Sequence, residues 1–243
     1  MKVQAVAAVP AAARLRAVAE PGPGADLFAA AREAVAVDVG IETRVLVTAG
    51  PSGVVHDRAV VSGVDGAADL EVPVDGELMA AVSGRTGFSR GRTDRLGGDL
   101  AELVRWCAEL APQIPLLPLE VPEHAGTGTL EAVAAGLRAA ADVTGRAVAV
   151  VAAGDLAVSG EGAGDGHPPG SAAARFDEQA VTALRRGDPA ALAALGPQEA
   201  RSVGAKGWAP LLIVSLLARM AGLSPGTPLY QCHRGCGRVV IAP

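Results

Sequence analysis

The sequence predicts an α/β fold, a three-layer sandwich with a mostly parallel or mixed central sheet. Three observations carry that expectation. Compact aliphatic runs of strand length recur along the chain, notably Thr43 to Ala49 and Ala147 to Ala153. Ile114 to Val121, Thr129 to Ala141 and Ala147 to Ala153 follow one another as strand, helix and strand, the order that builds parallel sheets. The 243 residues are 50% hydrophobic but only 2% aromatic, so a single domain over 1–243 must build its core from small aliphatic side chains.

Lys2 to Val9 reads as the first strand. Asp26 to Val39 has apolar residues at helical spacing and an acid near its start. Thr43 to Ala49 is a buried strand that ends at Gly50-Pro51-Ser52-Gly53, and Val54 to Val61 and Ala68 to Val74 suggest further strands around Gly63 to Gly66. Asp94 to Leu110 places Leu96, Leu100, Leu103, Val104, Cys107 and Leu110 on one helical face, which makes Cys107 a core residue. Ile114 to Val121 holds Pro115 and Pro118, which cannot donate to a ladder, so an edge or irregular strand is expected. Ala147 to Ala153 is a buried strand that stops at Gly154-Asp155-Leu156, and Gly160 to Gly170 is a Gly-rich loop. Ala172 to Arg186 is a helix closed by Gly187. Asp188-Pro189 then supplies an N-cap and a first-turn proline for the next helix. A last helix, Gly207 to Gly222, precedes a terminal strand, Arg238 to Ala242.

Composition excludes several functions. A net charge of -5 without a dense Lys/Arg cluster argues against nucleic acid. Arg85 to Arg95 carries four arginines among Gly, Ser and Thr and reads as a solvated loop. Cys107, Cys232 and Cys236 cannot all pair with one another, which fits a reducing cytoplasm. Gln4, Pro10, Arg14 and Arg16 interrupt the Ala-rich start, so a signal peptide is not expected. Trp208 to Ala218 is shorter than the ~20 residues that cross a bilayer, so a soluble protein off the membrane is expected. The helix Trp208 to Met220 could close a homodimer, although cover for the chain's own sheet is the simpler role. No phosphate loop, dinucleotide fingerprint or Gly-x-Ser-x-Gly elbow is present.

Three blocks, Val148 to Leu156 (VAVVAAGDL), Arg175 to Asp188 (RFDEQAVTALRRGD) and Leu229 to Ala242 (LYQCHRGCGRVVIA), taken in that order and spacing, resemble the class III extradiol ring-cleavage dioxygenases of the catalytic B-subunit type. The resemblance implies that family's fold. It also implies a non-haem ferrous iron held by two histidines and a carboxylate, open to a catechol-like substrate and dioxygen, with a further histidine as acid/base. Against that pattern Ala11 stands where the first metal histidine follows the first strand, and Val158 where the acid/base histidine follows Gly-Asp-Leu. His56 lies several residues past its strand, and Gln231, Cys232 and His233 provide no carboxylate near the end of the chain.

The expectation is therefore a divergent protein of this fold without ring-cleavage activity. It would bind a small molecule or partner subunit in a cleft lined by Gly154, Asp155, Leu156, Val158 and Ala11. A second reading stays open: a metal-dependent, oxidoreductase-like enzyme on a small aromatic or secondary-metabolite substrate, with iron, copper or zinc held by a relocated set drawn from His56, His167, Cys232, His233 and Cys236. A metal-free enzyme whose cleft orients a reactive substrate is a third. Glu123-His124 is a neighbouring carboxylate and imidazole suited to acid/base work, unless the two side chains point apart.

Overall fold

The computed structural model describes residues 2–11, 25–36, 40–62, 68–91, 95–159, 166–224 and 226–242. Val3–Val9 forms β1, an edge strand of the main sheet that is apolar almost throughout because helices pack on both of its faces. Ala25–Val35 is α1, with Asp26 in its first turn and Arg32 in its last, charges that suit the helix dipole; the end expected for it, 37–39, lies outside the described residues. There follow Thr43–Gly50 (β2), Val54–His56 (β3), Ala59–Val61 (β4), Leu70–Val72 (β5), Gly76–Thr86 (α2), Ser89–Gly91 (β6), Gly98–Leu110 (α3), Leu116–Pro122 (β7) and Thr127–Thr144 (α4). The chain closes with Val148–Ala153 (β8), Ala172–Arg185 (α5), Pro189–Ser202 (α6), Trp208–Ala221 (α7), Leu229–His233 (β9) and Cys236–Val240 (β10).

Six strands form the central sheet in the order β1-β8-β2-β7-β3-β6. β1, β8, β2 and β7 run parallel, β3 is antiparallel to β7, and β6 is parallel to β3. Alternate side chains of each strand leave opposite faces. Val45, Val47, Val150, Leu117 and Leu119 enter a core shared with α2, α4, α5 and α7, while Leu46, Val151, Val9 and Leu116 enter a second core with α1 and α3. The result is a mostly parallel sheet flanked by helices on both faces, an α/β architecture. β4 and β5 make a separate hairpin, as do β9 and β10. The second hairpin is tied to the sheet where Ala8 and Ile241 exchange backbone hydrogen bonds of 3.0 and 2.9 Å.

Several helix ends follow from local chemistry. Asp75 accepts the Leu78 N–H at 3.0 Å, Ser171 accepts that of Ala174 at 3.1 Å, and Asp188 accepts those of Ala190 and Ala191 at 3.0 and 3.1 Å. These caps satisfy amides that a helix cannot pair internally. Pro189 occupies the first turn of α6 as expected. α7 buries ten residues, Trp208 among them, against its own chain.

Three expectations change. β7 is a central, buried strand rather than an edge strand, with Pro118 beside Leu46 of β2. The Leu116 N–H points away from β2 to Pro73 O at 2.8 Å, and Pro118, two residues on, faces the same way. There β3 reaches only Leu119 and Glu120, so the missing proline N–H costs no ladder bond. The described part of the stretch Arg85 to Arg95 is not one loop: residues 85–91 close α2 and then form β6 alongside β3, while 92–94 lie outside the described residues. Val54 to Val61 divides into β3 and β4, which belong to different sheets.

Candidate functional site

Open α/β sheets bind ligands outside the carboxyl ends of their strands. At that end a cavity of about 280 Å³ is lined by Thr48 to Pro51 at the end of β2, Glu120 and Glu123 of the β7 end, and Ala153 and Gly154 of the β8 end. The first turn of α3, with Asp99, and Lys206 complete it. Glu120 folds over Gly50, where a Cβ would meet its carboxylate at 2.9 Å. It also lies 3.8 Å from the buried His56 Nε2. Glu123 lies 3.8 Å from Lys206 Nζ, while His124 turns outward and accepts a hydrogen bond from Arg201 at 3.3 Å. The two neighbours thus point apart.

Behind this cleft the Gly-Asp-Leu turn is held rigidly. Asp155 is buried and its Oδ1 accepts the Ala11 N–H at 3.0 Å, which joins the end of β1 to the end of β8. Gly154 packs on Gly207 so closely that a Cβ would lie 2.5 Å from the Gly207 Cα. Leu156 is fully buried, and its N–H donates to Gly237 O at 2.8 Å. Val158 is 36% exposed, bridges to Cys236 and donates its N–H to Val203 O. Of the five residues expected to line the cleft, Gly154 therefore lines it, Asp155 and Ala11 brace its floor, Leu156 belongs to the core, and Val158 lies on the hairpin.

Beyond the turn a second polar cluster forms. Ser159 Oγ is 2.8 Å from His167 Nδ1, and His167 Nε2 is 2.9 Å from Asp177 Oδ2. Tyr230 donates to the same Asp177 oxygen at 2.7 Å, and the Ala157 N–H donates to Asp177 Oδ1 at 2.8 Å. Three donors around one carboxyl suit the ionised, acceptor-only form. Burial opposes them and pushes the Asp177 carboxyl above its ordinary value. The Tyr230 hydroxyl is pushed up by burial and by Asp177, and the Cys232 thiol is raised by the same two causes in the same order.

The candidate metal ligands do not converge. Arg234 and Gly235, with φ of 49° and 65°, turn β9 into β10, so Cys236 pairs with His233 and Cys232 with Gly237. Neighbouring pairs of a hairpin face opposite sides, which separates the two thiols. His167 is engaged by Ser159 and Asp177, and His56 sits on β3 beside Glu120. Among the described residues no group of three His, Cys, Asp or Glu side chains is placed to hold a metal ion. The iron set implied by the resemblance does not fit either: Ala11 offers a methyl, Val158 an aliphatic chain, and β10 carries no acid.

No protein-family model matches this chain, and no curated protein sequence does. Solved structures do. One is described as an uncharacterized protein, JW3007, from Escherichia coli K12; it superposes with a TM-score of 0.58 over 87% of this chain and 90% of its own, at 13% identity. The likeness is one of fold.

Sequence reasoning singled out His167 but missed Asp177, Ser159 and Tyr230. One signal was present. Asp177 falls on the stripe of α5 that buries Ala173, Phe176, Ala180, Val181 and Leu184, and an acid on an apolar face needs a partner. Nothing local marks Ser159 or Tyr230, whose roles depend on where the β9–β10 hairpin folds back.

Proposed function

We propose that this chain is a divergent protein of the extradiol B-subunit type that does not cleave aromatic rings and that binds a small polar molecule in the cleft at the ends of β2, β7 and β8. The observation that carries the reading is the pairing of Ala11 with Asp155: the position expected to supply a metal histidine supplies a backbone N–H to a buried carboxylate. That contact keeps the cleft's floor in place without giving it a metal ligand. The cavity above it keeps a volume of about 280 Å³ and a rim of Asp99, Glu120, Glu123 and Lys206, a mixture suited to hydrogen bonding a polar ligand.

Two measurements test this. Protein loaded with ferrous iron and given catechol in air is expected to yield no ring-opened product and no oxygen uptake; ring cleavage would overturn the reading. A fragment library screened by thermal shift is expected to give hits that disappear with Ala49→Trp, which fills the cavity. Hits indifferent to that substitution would move the binding site elsewhere.

A further inference from the structure

We propose that Ser159, His167 and Asp177 form a nucleophile, base and acid relay that transfers a small acyl group from an ester or thioester to Ser159. Such a site is recognised by geometry and roles rather than by sequence order. Here the order is Ser, His, Asp, without the Gly-x-Ser-x-Gly elbow, and the three side chains come from three places: the segment after β8, the loop before α5, and the second turn of α5.

The imidazole stands between hydroxyl and carboxylate, 2.8 Å from one through Nδ1 and 2.9 Å from the other through Nε2. Both distances lie within the reach required of a nucleophile, its base and the group that orients the base. An ionised Asp177 fixes the tautomer: Nε2 carries the proton that it donates, and Nδ1 is left to accept from Ser159. The ring is reversed relative to the familiar serine-protease arrangement, but either nitrogen can take the proton. The Gly235 carbonyl, 3.2 Å from Ser159 Oγ, is the longer and therefore weaker competitor. Asp177 is itself held by Ala157 and Tyr230. The side chains of His167 and Asp177 are each 3% exposed, whereas Ser159 is half-buried. The imidazole and the carboxylate are thus shielded from water, and the substrate is taken to reach the relay at Ser159.

The chemistry balances without metal or oxidant. Ser159 Oγ bonds to the acyl carbon as its proton passes to His167 Nδ1. The bond to the leaving alcohol or thiol then breaks, and that group departs with the proton. Water attacks the acyl-serine by the same proton route, so that ester and water become acid and alcohol while Ser159 and His167 return to their starting forms.

The test uses the full chain with a fluorophosphonate probe and with p-nitrophenyl acetate. The expected results are stoichiometric phosphonylation of the Ser159 peptide, seen by mass spectrometry, and ester turnover at least tenfold faster than with Ser159→Ala. That variant removes one half-buried hydroxyl, and an unchanged melting temperature shows that it folds. His167→Gln is expected to slow phosphonylation at least tenfold; should it unfold, Ser159→Cys replaces it, with iodoacetamide expected to alkylate Cys at 159 at least tenfold faster than Cys232. Absence of labelling, labelling away from Ser159, equal rates for wild type and Ser159→Ala, or an unactivated thiol at 159 would each overturn the proposal. Because these readouts do not involve the strand-end cavity, they stand or fall separately from the ligand-binding reading above.

Discussion

Gly237 leaves the space that Asp177 occupies: a Cβ at position 237 would overlap the Asp177 Oδ2. The two residues are sixty positions apart in sequence (237 against 177) and belong to different layers, β10 and α5. The contact is possible because Cys232 and Gly237 form a pair on the hairpin face that looks toward the carboxylate.

Gly237→Ala should accordingly be an overpacking substitution. Asp177 cannot swing aside without losing its bonds to Ala157, His167 and Tyr230. A loss of about 1–3 kcal/mol is expected in urea unfolding. Tyr230→Phe removes one hydrogen bond to the ionised Asp177 and keeps the ring, so about 1.5–3 kcal/mol is expected. A Gly237→Ala protein as stable as the wild type would show that the hairpin does not press on α5.

Asp155 offers a sharper comparison. Asp155→Ala leaves the buried Ala11 N–H without its acceptor, at an expected cost of about 1–3 kcal/mol. Asp155→Asn keeps an oxygen in the same place and should recover most of that loss. Equal destabilisation by both would mean that the negative charge, not the hydrogen bond, braces the two strand ends.

The sheet and its helices were legible because short aliphatic runs and helical spacing are local properties. β2, β8, α3 and α5 therefore fall close to where the sequence places them. Pro118 misled because its cost depends on which side of the strand lacks a neighbour, a tertiary fact. Gly154 and Asp155 were legible as the end of β8, since a strand that stops at Gly-Asp can be read directly, and of the two Gly154 borders the strand-end cavity. The cluster around Asp177 was not legible: its members, Ser159, His167 and Tyr230, meet only through the antiparallel return of β10 against the segment after β8, where Leu156 and Ala157 exchange backbone hydrogen bonds with Gly237.

Cys107 should make stability fall in alkali. Burial pushes its thiol up to about 12 from 9.0, a shift that Arg44 only partly opposes. With the folded pKa raised, the folded thiol keeps its proton where the unfolded one has lost it. The unfolded state thus binds fewer protons between pH 9.0 and about 12, and stability declines as pH rises through that window. The slope from this group is at most about 1.4 kcal/mol per pH unit. Cys107→Ala should remove that component of the slope while lowering stability at pH 7, as read by urea unfolding at several pH values.

The β9–β10 hairpin makes a definite prediction about metals. Its turn at Arg234 and Gly235 places Cys236 opposite His233 and Cys232 opposite Gly237, so the two thiols leave opposite faces. Cys236 is buried beneath the hairpin, whereas Cys232 lies on the Tyr230 side. A tetrahedral zinc site needs sulfur and nitrogen donors about 2.0–2.3 Å from one ion, which two opposed side chains cannot provide without unravelling the turn. EDTA dialysis should therefore leave the melting temperature unchanged, and zinc titration should show no stoichiometric high-affinity binding that Cys232→Ser abolishes. Tight zinc binding dependent on both Cys232 and Cys236 would require a different register for β10, and with it a different position for Gly237 against Asp177.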